Sequence, residues 1–145
     1  MWVAKSNLLP LDIKVINNKS LCLVILPINS NLVRSKYLEI KQLQYKMLSV
    51  LNMPFRSLNL VNIFSDLIIS NNINNITKKI LLYYQRTKLI LQFGNLDILD
   101  INYLNTQNIV VSKVMHPEQV LQSQDNKKQA YQDLLLCRNK LQQLL

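Results

Sequence analysis

The chain has one glycine, Gly94, in 145 residues. Phosphate-cradling loops need several glycines, so a Walker A loop and a dinucleotide fingerprint are excluded. It has one histidine, His116, and two cysteines, Cys22 and Cys137. A zinc site of the usual Cys/His kind needs closely spaced pairs of such ligands, and a disulfide framework needs more cysteines. Both cysteines sit among apolar neighbours and read as buried thiols of a protein kept in a reducing cytoplasm. No metal and no cofactor is expected. The longest clean apolar run, residues 21–27, is far short of the ~20 residues that span a bilayer, so no membrane partner is expected. The opening Met1-Trp2-Val3-Ala4-Lys5 lacks a basic stretch followed by an apolar one, so no secretory signal is expected. Acidic residues are few, 8 against 17 Lys and Arg, which leaves a formal charge of +9.

What is present suits one folded domain. With 49% apolar residues the chain has material for a core, and its length falls within the range of a single domain. The positive charge favours anionic partners through long-range steering. The bases are scattered, however, and their only doublets are Lys78-Lys79 and Lys127-Lys128. A solvated basic surface on a protein with another task is the plainer reading. The chain is also rich in Asn, Ile, Lys, Leu and Gln, a bias that AT-rich coding alone produces.

Residues 1–12 show no sustained period and contain Pro10. They read as an N-terminal arm, on which Trp2, Leu8 and Leu9 are large apolar candidates for partner anchoring. Ile13-Lys14-Val15-Ile16 reads as a short edge strand and Asn17-Asn18-Lys19 as a turn. Leu21-Cys22-Leu23-Val24-Ile25-Leu26, closed by Pro27, suits a strand buried on both faces. A helix capped by Ser35 is expected to run to Asn52, with Leu38, Leu43, Met47, Leu48 and Leu51 on its buried stripe. Asn52 and Pro54 stop it. Residues 58–63 alternate as a strand. Asn71, Asn72, Asn74 and Asn75 read as a polar linker before a helix over 76–86. A third core strand covers 88–93, a short helix 96–104, a fourth core strand 108–114 and a terminal helix 126–144. Ala130, Leu134, Cys137 and Leu141 lie on the buried side of that last helix.

The alternation of strands and helices implies an α/β fold with a mainly parallel four-stranded sheet, in one domain over residues 13–145. Ligands of such sheets gather at the carboxyl ends of the strands. Two residues there are candidates for chemistry. His116 is placed to stabilise an anion or move a proton, or to pack or cap locally. Asp66 is placed to activate a water, or to cap the following helix together with Ser65. No Ser–His–Asp or Cys–His set can be assembled.

Three stretches resemble the uracil-DNA glycosylase superfamily over roughly residues 20–145. Leu43-Gln44-Tyr45-Lys46-Met47-Leu48-Ser49-Val50-Leu51-Asn52-Met53 is similar to a family helix, with Leu60-Val61-Asn62-Ile63 as its strand. Lys88-Leu89-Ile90-Leu91-Gln92-Phe93-Gly94 is similar to a family strand. The run from Val110 to His116-Pro117, followed by Val120-Leu121, Lys127-Lys128 and Tyr131-Gln132-Asp133-Leu134, is similar to the family's last motif. The resemblance implies a three-layer α/β sandwich. The family's Gly-Glu-Ala-Pro-Gly loop, which positions water and the flipped base, is replaced here by Leu26-Pro27-Ile28-Asn29-Ser30. The two cysteines are too few for the iron–sulfur cluster of the family's short bacterial branch.

The size, the Trp-bearing arm and the strand-Pro-helix ending also resemble the psi subunits of the bacterial DNA polymerase III clamp loader. Those subunits usually carry Ser before the Pro and Trp in the last motif, where this chain has His116 and Tyr131. The resemblance implies a non-catalytic adaptor whose arm docks on clamp-loader subunits. Its body would hold a chi-like subunit that reaches single-strand binding protein. Trp2, Leu8 and Leu9 would be the anchors. The alternative is a degenerate glycosylase-like module that binds nucleic acid directly through Lys113, His116, Lys127 and Lys128.

Overall fold

The computed structural model describes residues 11–13 (backbone only), 19–53, 57–69 and 71–144. Trp2, Leu8, Leu9, Pro54 and the expected strand and turn residues 14–18 lie outside the described residues.

Five strands form one sheet in the order β1-β3-β2-β4-β5. They are β1 Leu11–Ile13, β2 Cys22–Ile28, β3 Asn59–Phe64, β4 Leu89–Phe93 and β5 Val110–Val114. The last four are parallel, and β1 adds an antiparallel edge along β3. The four expected parallel strands are joined by one edge strand, which lies at Leu11–Ile13 rather than at 13–16 and takes in Leu11 and Asp12 of the expected arm. The helices are α1 Arg34–Leu48, α2 Ile73–Tyr83, α3 Ile101–Thr106, α4 Pro117–Val120 and α5 Gln124–Leu144.

Every residue of β2, β3 and β4 is buried. Because side chains alternate across a strand, each strand feeds two cores. One face presents Val24, Leu26, Leu60, Leu91 and Phe93 to Ile40, Met47 and Leu48 of α1 and to Ala130, Leu134, Cys137 and Leu141 of α5. The other presents Leu23, Ile25, Val61, Ile63 and Ile90 to Ile76 and Ile80 of α2 and Leu104 of α3. The result is three layers, helix–sheet–helix. Both cysteines are buried and free.

Several boundaries differ from the sequence reading, each for a local reason. β2 runs through Pro27 to Ile28. The β2–β4 ladder ends at the Ile25–Gln92 pair, so the missing Pro27 N–H is needed by no partner there. α1 begins after Val33 with no side-chain cap, and Ser35 lies inside its first turn. Leu38 is 44% exposed, and the buried positions are Ile40, Lys41, Gln44, Met47 and Leu48. Lys41 is accommodated because its amine reaches Asn62 Oδ1 at 3.4 Å, while the Asn62 amide donates to Tyr37 Oη at 3.1 Å. α1 ends at Leu48, short of the expected Asn52; a 3-10 turn over Ser49–Leu51 carries the chain on to Asn52, whose φ of 55° is left-handed, a region Asn tolerates.

The asparagine run is structural rather than a linker. Asn72 Oδ1 accepts from Ile69 N–H at 3.0 Å, and Asn74 and Asn75 lie within α2. The short helix expected over 96–104 starts only at Ile101, capped by Asp100, and Ile98 and Leu99 are buried ahead of it. β5 is an edge strand, with Val110 and Lys113 exposed, and not a core strand.

Candidate functional site

The direction of the chain changes between two neighbouring strands. From β2 it goes through α1 to β3 on one side; from β4 it goes through α3 to β5 on the other. Loops leaving adjacent strands in opposite directions leave a crevice between them, the usual ligand position in open α/β sheets. A cleft of about 490 Å³ opens there. Its walls are Pro27, Ile28 and Asn29 after β2, Phe93, Gly94, Asn95 and Leu96 after β4, Ser65 after β3, and His116, Glu118, Gln119 and Gln122 around α4.

The loop after β4 is shaped by two residues. Gly94 has φ +89° and its N–H donates to Val114 O at 2.7 Å. The buried Gln92 amide donates to Leu96 O at 2.8 Å and to Gly94 O at 3.3 Å. The His116 ring lies over Gly94, where an added Cβ would meet His116 Cβ at 3.6 Å and Cδ2 at 3.7 Å.

Both nitrogens of His116 are engaged. Nδ1 accepts the Glu118 N–H at 3.1 Å, which caps α4, and Nε2 lies 2.7 Å from Pro27 O. A carbonyl only accepts, so Nε2 carries the proton and Nδ1 does not: the ring is neutral. Burial lowers its pKa from the ordinary 6.5; the Pro27 carbonyl and the Glu118 carboxylate oppose this only in part.

Asp66 is likewise occupied. Its Oδ1 accepts Ser30 N–H at 2.8 Å and its Oδ2 accepts Ser30 Oγ–H at 2.6 Å. It clamps the loop after β2 to the turn after β3 instead of capping α2. Ser65 Oγ–H adds a bond to Ile28 O at 3.3 Å. Asn29 Oδ1 accepts Asn31 N–H at 2.8 Å, closing a turn within its own loop.

The four residues of the nucleic-acid alternative are not brought together. His116 is in the cleft. Lys113 precedes Val114, which faces the α1/α5 core, so Lys113 points to the opposite side of the sheet. Lys127 and Lys128 are exposed on the first turns of α5, on the α1 side. None of the three lysines lines the cleft. Among the described residues, no group of three His, Cys, Asp or Glu is placed to hold a metal ion, and no helix is long and apolar enough to cross a membrane.

Sequence reasoning missed Ser30, Gln92 and Gly94 as organisers of the site. The one available signal was Gly94 itself, the single glycine, directly after a strand. The class defined by fold and site is a three-layer, mainly parallel α/β protein with an amide-rich cleft, bordered by the Glu118 carboxylate, at the point where strand order reverses. No family model, curated protein or solved structure matches the chain.

Proposed function

We propose that the chain is a non-catalytic adaptor subunit of the psi type, built on a glycosylase-like fold in a bacterial clamp loader. One observation carries this reading: His116 and Asp66, the two strand-end residues read as candidates for chemistry, spend their hydrogen bonds on holding loops together. A general base must have a lone pair free for the substrate proton. The neutral His116 has none to spare, and the Asp66 oxygens are turned to Ser30.

Exposed apolar side chains at the same end of the molecule support partner binding. Val33, Ile69, Leu96 and Leu121 are all exposed around the carboxyl ends of the strands. β1 starts there too, because Leu11 pairs with Ile63 near the end of β3. An arm carrying Trp2, Leu8 and Leu9 would therefore join the body beside these residues. Clamp-loader subunits and a chi-like subunit are the partners this reading names.

The test is reconstitution with purified clamp-loader ATPase subunits and a chi-like subunit of the same organism, read by size-exclusion chromatography at moderate and high salt. Co-elution that survives high salt, and is lost in Trp2→Ala/Leu8→Ala, is the expected result. Separate elution at both salt concentrations overturns the reading.

A further inference from the structure

A parallel sheet gathers strand starts and helix ends at one pole, and here that pole is basic. Lys19 lies before β2, Lys88 before β4, Arg86 after α2, Lys46 in the last turn of α1 and Lys140 near the end of α5; all five are exposed. Lys88 N–H donates to Leu21 O at 2.8 Å, so the starts of β2 and β4 are adjacent. No acidic residue occurs among the described residues of the segments that build this pole. The ion pair of Lys36 and Glu39, at 3.9 Å, belongs to the first turns of α1 at the other pole.

Compensation of helix dipoles explains only part of this charge. The ends of α1, α2, α3 and α5 offer roughly half a negative charge each, short of the four cations Arg86, Lys88, Lys46 and Lys140. Arg138, whose guanidinium donates to Val50 O at 3.4 Å, already serves one such end. Tyr83, 43% exposed, and Leu82, 71% exposed, close α2 three and four residues before Arg86. An exposed ring beside cations suits a strand whose bases are free to stack, whereas a duplex keeps its bases inside.

We propose that the amino-terminal pole of the sheet is a single-stranded nucleic-acid interface, with Arg86, Lys88, Lys46 and Lys140 facing phosphates and Tyr83 stacking on a base. This site is distinct from the cleft and from Lys127 and Lys128 at the start of α5. It does not rest on the adaptor reading, and its test needs no clamp-loader subunit.

The test is fluorescence anisotropy of labelled oligothymidine with the full chain. For about four neutralised phosphates the log–log salt slope is about −3, a loss on the order of fiftyfold between about 50 and 200 mM salt. Arg86→Glu/Lys88→Glu is expected to weaken binding at least about tenfold and to flatten the slope by about 1.4. Lys127→Glu/Lys128→Glu, which alters the net charge equally at the far pole, is expected to stay within about twofold. Tyr83→Ala is expected to lose about tenfold at every salt concentration with the slope unchanged. Arg86→Gln/Lys88→Gln carries the same test if the reversed pair fails to fold. Equal weakening by the two charge reversals, equal competition by oligoglutamate, or no binding at the lowest salt overturns the proposal.

Discussion

His116 Nε2 and Pro27 O lie 2.7 Å apart although β4 separates their strands. The bond passes across the end of β4 over Gly94, with which the ring is in ordinary packing distance. It ties the outer strand of the sheet to its centre at the pole where the cleft opens. The same imidazole caps α4 through Nδ1. One neutral side chain thus sets the position of a strand end and of a helix start.

Replacing His116 should therefore cost stability twice. His116→Ala is expected to lose about 1–2 kcal/mol, from the cap and from the orphaned carbonyl. His116→Asn keeps a capping group but is too short for Pro27 O, so an intermediate loss is expected. Urea unfolding midpoints measure both.

The same residue should make stability depend on pH. Its folded pKa lies below the ordinary 6.5, so the unfolded chain binds the proton more readily. Stability is then full above about pH 6.5 and falls as pH drops through the folded value. Unfolding midpoints at pH 7 and pH 5 should differ in the native chain, and much less in His116→Asn.

Asp66 and Ser30 should behave as a coupled pair. Asp66→Ala strips acceptors from the buried Ser30 N–H and Oγ–H, at an expected cost of about 1–3 kcal/mol. A double-mutant cycle with Ser30→Ala should give a coupling of about 1 kcal/mol. Coupling near zero would show that Asp66 does not hold this loop.

Gly94→Ala is expected to destabilise by about 1–2 kcal/mol. The cause is the positive φ and not crowding, since the nearest atom to an added Cβ is 3.6 Å away. Gly94→Asn, better tolerated in left-handed backbone, should cost less. Thermal melts of the two variants separate backbone strain from packing against His116.

The cysteines should resist thiol reagents while the fold is intact. Burial pushes the Cys137 thiol up to about 11, with Ser112 and Lys140 opposing in part, and burial pushes Cys22 higher still. Only the thiolate reacts. Alkylation at mildly alkaline pH should label neither residue in the native chain and both in guanidinium. Rapid native labelling of Cys22 would contradict its place in the core.

Local periodicity made the secondary structure legible. The uninterrupted apolar stretch of β2 announced a strand covered on both faces. The 3.6-residue spacing of Ala130, Leu134, Cys137 and Leu141 identified the buried stripe of α5 correctly, because that helix packs along its whole length. The stripe of α1 was misread at Leu38 because the helix rolls to bury Lys41 over Asn62. Asn62, a partner on β3 that helical spacing cannot reveal, helps to make that burial tolerable. β1 was misplaced because a three-residue edge strand carries too little pattern to mark its ends.

The sequence by itself determined the class: alternating elements, a mainly parallel sheet, and the exclusion of glycine-loop and Cys/His zinc chemistry. Only the tertiary structure decided what the polar residues do. Asp66 meets Ser30 from 36 residues away, and His116 meets Pro27 from 89. Such pairs depend on strand order and on the side to which each connection crosses, and spacing along the chain encodes neither. The basic pole has the same origin. Bases scattered through the sequence become one surface because parallel strands bring every strand start and helix end to the same side.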